Sequence, residues 1–199
     1  MYAIVEDNNI TQYINNPKSV VIGDVRYPSK IFELWSQSEK EAIGIYEIIV
    51  DKTNYKDPAY YINTDSSYTF ADGQVTESWG TATAKELEDR NATDEDGVEL
   101  NPIVVIEGLK TEKKKIVKAQ ASTLLERTDW HNHKALDDDS YTIPDNIKTY
   151  RANVRAKSNE METQIDACTT LDQLKTLYEY TTQEDGTQTR PLAEFPEEI

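Results

Sequence analysis

His131-Asn132-His133, followed by Asp137-Asp138-Asp139, is the one cluster in this sequence whose residue types suit a metal ion. On a strand, histidines at i and i+2 share a face, and a nearby carboxylate completes a site. The spacing matches no specific metal motif. The competing reading is a polar loop whose Asp run caps the following helix, and that is the expectation adopted. Asp94-Glu95-Asp96-Gly97 superficially resembles a calcium loop. Its closing glutamate is out of place and earlier ligand positions are missing, so a solvated turn is predicted. Cys168 falls on an apolar helical stripe and reads as a small buried hydrophobe, not a nucleophile. The seven glycines (23, 44, 73, 80, 97, 108 and 186) are scattered and form no phosphate-cradling loop. There is no Gly-x-Ser-x-Gly elbow. Carboxylates are abundant, but no spacing marks two of them as a pair. Lys113-Lys114-Lys115 could meet a phosphate backbone; in so acidic a chain they are expected to pair with acids of the preceding segment. The sequence therefore predicts no catalytic residue, no cofactor-binding residue, no metal ligand and no cofactor.

The chain has 199 residues, a formal net charge of −16 and a pI near 4.5. That length allows one or two domains with a modest core. The charge balance argues against nucleic acid as a partner, since phosphate contacts need clustered Lys and Arg. Cys168 is the single cysteine, which excludes an intrachain disulfide and fits assembly in a reducing cytoplasm. The start, MYAIVEDNNI, has neither the basic region nor the apolar run of a signal peptide. No apolar stretch approaches the roughly 20 residues that cross a bilayer, so membrane insertion is not expected. Twelve tyrosines stand against three phenylalanines. Amphipathic strands or a contact surface would each account for them.

The elements follow from pattern. Tyr2–Val5 and Ile10–Ile14 flank Asp7-Asn8-Asn9, residues that tolerate left-handed backbone, and predict a hairpin. Ser19–Ile22 is a third apolar run. Ser36 with Glu39 forms a capping box opening a short helix, roughly 37–43, with Gly44 as its left-handed cap. Ile45–Val50 predicts a central strand, one face covered by Phe32, Leu34 and Trp35. Tyr60–Asn63 is a strand, and 68–79 a hairpin around Asp72-Gly73. Residues 81–107 are rich in acids and read as a linker, with a short helix over Ala82–Arg90 and an apolar strand or anchor at Pro102–Ile106.

A helix from about 109 to 127 carries Val117, Ala121, Leu124 and Leu125 at helical spacing. It is expected to stop at a Thr128-Asp129-Trp130 corner. Pro144 opens a second helix on which Ile147, Val154, Met161 and Cys168 recur every seven residues, widened by Tyr150 and Ile165. That is a packing seam, compatible with an intrachain hairpin or an oligomer. Thr170 with Gln173 caps a short third helix bearing Leu171, Leu174, Leu177 and Tyr178. The tail from 181 is acidic, with Leu192 and Phe195 as anchors. The predicted class is α+β: an antiparallel β-rich domain (1–80), a linker (81–107), a helical hairpin with a short third helix (108–180) and an acidic tail (181–199).

Leu124-Leu125-x-x-Thr128-Asp129-Trp130, then Tyr150-Arg151-x-x-x-Arg155, resembles the C-terminal helical segment of small tail and tail-fibre-associated proteins of tailed bacteriophages. Met1-Tyr2-Ala3-Ile4-Val5-Glu6, and Trp35 followed by Glu41-Ala42-Ile43-Gly44-Ile45-Tyr46, is similar to their β-rich start. Together these touch about two thirds of the chain. One departure is Lys148-Thr149, standing where the family carries a second Trp. The resemblance implies a non-enzymatic structural part of a virion tail, made in the host bacterial cytoplasm. Its partners would be other tail, fibre or baseplate subunits, with the chain oligomeric in the particle. Some relatives resemble fibre assembly chaperones instead.

Overall fold

The computed structural model describes residues 1–199. The chain divides into two compact units, Met1–Ala84 and Lys85–Ile199. The class is α+β, with strands concentrated in the first unit and long helices in the second.

In the first unit, β1 (Tyr2–Glu6) returns as β2 (Asn9–Ile14) through Asp7 and Asn8, at φ 50° and 64°. Two successive positive φ values give the turn a twist that matches the flanking strands. The short strands β3 (Val20–Ile22) and β4 (Val25–Tyr27) form a second hairpin. Two short helices follow, α1 (Ile31–Leu34) and α2 (Gln37–Glu41). The capping box at α2 is present: Glu39 donates its N–H to Ser36 Oγ (3.3 Å), and its carboxylate accepts the Ser36 N–H (2.8 Å). Gly44 is required twice over. Its φ is 85°, and a Cβ there would lie 2.6 Å from the Val5 carbonyl oxygen.

After that glycine come β5 (Ile45–Asp51), β6 (Tyr61–Ile62), β7 (Ser66–Ala71), β8 (Gln74–Trp79) and β9 (Thr83–Ala84). The main sheet has the order β2-β1-β5-β8-β7, so β5 is central as expected. Its pairing with β8 is parallel, Ile48 opposite Val75, in an otherwise antiparallel sheet. Alternation along the strands builds two cores. Ile4, Ile14 and Ile45 meet Val20, Ile31 and Phe32 on one face. Ala3, Val5, Ile48 and Val75 lie on the other, beneath Tyr46, Tyr68 and Phe70. Leu34 does not cover β5 as expected; it is 75% exposed. The chain turns extended at Trp35, which packs on the core edge-on to Tyr27 in its place.

In the second unit, β10 (Arg90–Asn91) and β11 (Val105–Ile106) form an antiparallel arm. Four helices follow: α3 (Leu109–Glu126), α4 (Asp129–Asp137), α5 (Asp145–Ala167) and α6 (Leu171–Tyr178). A last hairpin joins β12 (Thr181–Thr182) to β13 (Gln188–Thr189). The heptad seam of α5 is buried, Ile147, Val154, Met161 and Cys168 together with Tyr150 and Ile165, and α3 contributes Val117 and Ala121. The Thr170–Gln173 capping box is present, and Leu174 is fully buried. Leu192 is also buried, its N–H bonded to the Leu177 carbonyl (3.0 Å). Phe195 packs on Tyr150 and Val154. Gln164 clamps this end of the chain, donating to Pro191 O (3.0 Å) and accepting from Ala193 N–H (2.8 Å).

Two expectations are corrected here. No helix forms over Ala82–Arg90. Thr83-Ala84 pairs with Tyr61-Ile62, and the carbonyls of Glu86 and Leu87 accept from Leu109 and Lys110 at the start of α3. Those acceptors satisfy N–H groups that a helix start leaves open. The stretch 131–139 is also not a loop. It lies in and just beyond α4, and no Gly or Pro interrupts the sequence from Leu109 to Ile143.

Met161→Ala, at a fully buried seam position, is expected to lower unfolding free energy by about 2–5 kcal/mol in urea denaturation. Leu136→Ala, on the 80% exposed face of α4, is expected to change it by less than about 0.5 kcal/mol.

Candidate functional site

The helical state of α4 separates the two histidines. Successive residues on a helix are about 100° apart, so i and i+2 point to nearly opposite sides. His131 is buried, its Nδ1 2.5 Å from the Tyr141 hydroxyl, and stacks on Trp130 at 3.7 Å between ring centroids. His133 is exposed. The Asp run does not cap α5, whose first residue follows Pro144 with no side-chain cap. Asp138 instead closes its own turn, accepting from the Ser140 N–H (3.0 Å) and hydroxyl (2.6 Å). No group of three or more His, Cys, Asp or Glu is placed to hold a metal ion.

The other candidates are also drawn into local structure. Asp94 accepts from the N–H groups of Asp96 (3.0 Å) and Val98 (2.9 Å), closing the tip of the β10–β11 arm with Gly97 at φ 80°. Cys168 borders a surface groove of about 550 Å³ that it shares with Gln164 and Leu177. Burial pushes its thiol pKa up, which disfavours the thiolate a nucleophile needs. The lysines pair with acids. Lys115 meets Glu107, and Lys110 meets Glu88 at 2.5 Å, both acids of the segment before α3. Lys114 and Lys118 pair with Asp166 (2.7 Å) and Glu162 (3.1 Å) of α5. Lys113 lies over the Tyr178 ring.

Thr128, Asp129 and Arg151, far apart in sequence, come together at one corner. A helix end leaves its last carbonyls without partners. Arg151, one turn above Ile147 on the buried face of α5, supplies the donors. One guanidinium nitrogen donates to Leu125 O (2.8 Å) and to Thr128 Oγ1 (2.6 Å); the other donates to Asp129 Oδ1 (2.7 Å). Thr128 in turn donates its hydroxyl to Leu125 O (3.0 Å). Arg151 and Thr128 are buried. The planar fork of an arginine suits three acceptors held in fixed positions; a lysine is a point charge on a flexible stem. Trp130 leaves this corner 54% exposed, its ring held against His131.

Two features escaped sequence reasoning. Asp89 caps α3 from outside, accepting from the Gly108 N–H (2.8 Å) and the Thr111 hydroxyl (3.0 Å). A Cβ on Gly108 would collide with the backbone of Leu87 and Glu88. The apolar run at 102–106 is expected from the sequence to be a strand or anchor. Only Val105–Ile106 is strand, and Ile103, Val104, Val105 and Ile106 are exposed, as are Val98 and Leu100. Of the tyrosines, Tyr68 packs on Tyr13 and donates to Glu77 (2.7 Å), while Tyr13 itself, Tyr55 and Tyr180 are exposed.

No protein-family model, no curated protein and no solved structure matches this chain.

Arg151→Ala is expected to cost about 3 kcal/mol in chemical denaturation, because it strands buried acceptors, with Arg151→Lys retaining only part of the difference. A pH dependence follows from Asp89. The Gly108 N–H, and then the Thr111 hydroxyl, hold its carboxyl below the usual carboxylate range. A folded-state pKa below the unfolded one gives stability that is present above about pH 4 and lost as pH falls through the folded value. Thermal melts between pH 5 and 2 are expected to fall less steeply in Asp89→Ala than in the wild type.

Proposed function

We propose that this chain is a non-enzymatic structural component of a bacteriophage tail, a fibre or baseplate part that acts through protein–protein contacts. The observation that carries this reading is the corner built by Thr128, Asp129 and Arg151. The residues that carry the resemblance to tail proteins join three helices there and hold an exposed, rigid Trp130 at the surface. A large aromatic ring whose orientation is fixed offers contact area at low entropy cost, which is why such residues are enriched at interfaces. The buried heptad seam supports the same reading, since it gives the corner a stiff support. In this account the protein is made in the host cytoplasm and resides in the virion tail, among other tail subunits.

Mass spectrometry of gradient-purified particles of the encoding phage is expected to detect the chain with the other tail proteins. Recovery only with free fibre subunits before assembly, and absence from mature particles, would replace this role with that of an assembly chaperone. Absence from both fractions would overturn the reading.

A further inference from the structure

Ile116, Leu124 and Arg127 fall on one stripe of α3, next to the buried Val117 and Ala121. With Arg190, Phe195 and Glu198 of the C-terminal segment, that stripe borders a groove of about 570 Å³. Small-molecule sites span roughly 300–1,000 Å³. The walls of the groove are of two kinds. Ile116, Leu124 and Phe195 are apolar, and Ile116 is 52% exposed. Arg127 and Arg190 are two of the six arginines in a chain of net charge −16.

Arg190 is the unusual member. Its side chain is only 21% exposed, and its guanidinium lies over the rings of Tyr180 (5.1 Å) and Tyr178 (6.0 Å). Contacts of that kind hold a cation in place without using its N–H groups. The Nε is buried and makes no hydrogen bond. Glu194 Oε1 stands 3.5 Å from it, beyond the about 2.7–3.2 Å of an N–H···O bond. Nearly every buried donor in a folded protein has an acceptor, so an unpaired one calls for an explanation. Arg151 shows the contrasting case, a buried guanidinium bonded to three acceptors of the chain.

We propose that the groove between α3 and the C-terminal segment binds a small monocarboxylic acid with an apolar body. Its carboxylate meets the Arg190 guanidinium, and its body lies along Ile116, Leu124 and Phe195. The walls select this chemistry. The planar fork of a guanidinium matches a carboxylate, which accepts two parallel N–H bonds from it. The other arginine of the groove already takes a carboxylate, that of Glu198. An apolar body removes the exposed Ile116 surface from water. A second negative charge on the ligand would meet Glu194 and Glu198, so a monoanion is favoured. The net charge of the chain acts at long range and is screened beyond about 8 Å at physiological salt, so the two arginines dominate the field inside the groove. Binding of this kind is independent of residence in a virion, so its failure and that of the functional reading are separable.

Octanoate is a simple probe of this chemistry, and octan-1-ol is the same chain without the charge. Isothermal titration of the full chain with octanoate is expected to show one site with a dissociation constant below about 1 mM. Octan-1-ol is expected to bind at least about fivefold more weakly. Arg190→Gln removes the cation. Ile116→Glu places a carboxylate on the apolar wall at an exposed position, so its circular dichroism is expected to stay close to wild type. Each variant is expected to weaken octanoate binding at least about fivefold. Should Arg190→Gln fail to fold, Ile116→Glu decides alone. No saturable binding of octanoate up to about 3 mM, octan-1-ol bound within about fivefold of octanoate, or a smaller than fivefold loss in either folded variant would overturn the proposal.

Discussion

The helical unit turns on one buried guanidinium. Arg151 reaches from the second turn of α5 to the Leu125 carbonyl near the end of α3, to Thr128 Oγ1 and to the Asp129 carboxylate at the start of α4, and satisfies three acceptors at once. A buried charge with incomplete partners would cost several kcal/mol, so the site tolerates only a donor of this shape. Its effect reaches the seam. With α3 fixed where it ends, Ala121 stays packed against Tyr150 and Val154.

Elsewhere the second unit uses the same device of closing a helix with groups from outside it. Gly108 has no side chain to cap α3, and Asp89 with the carbonyls of Glu86 and Leu87 does so from a segment about twenty residues upstream. Gln164 in α5 fixes the last residues by bonding to both Pro191 and Ala193. The acidic segments at 85–107 and 181–199 are thereby attached to the helices, and part of their charge is placed against Lys110, Lys115 and Arg127.

What was legible in the sequence was local. The Ser36–Glu39 and Thr170–Gln173 capping boxes each depend on groups three residues apart, and the Asp7-Asn8 and Asp72-Gly73 turns on two adjacent residues. The α5 seam repeats one chemistry every seven residues, and all of it is buried. What was not legible was set by partners distant in sequence. Thr83-Ala84 became a strand by pairing with Tyr61-Ile62, a partner distant in sequence. The parallel pairing of β5 with β8 leaves no mark on either strand. The α4 helix had a local signal, an unbroken helix-compatible stretch, but its polarity reads as well for a loop. Of the candidate residues, His131 and His133 were separated by that helix, while Thr128, Asp129 and Arg151 were brought together. Their order along the chain pointed to them; their hydrogen bonds needed the fold.

The proposed structural role rests on the corner acting as one coupled element. A double-mutant cycle between Asp129→Asn and Arg151→Met, read by chemical denaturation, tests this most directly. A coupling energy of about 1 kcal/mol is expected for groups sharing a partly buried network. Strictly additive losses would mean that Arg151 and Asp129 are neighbours without being partners, and would contradict the account.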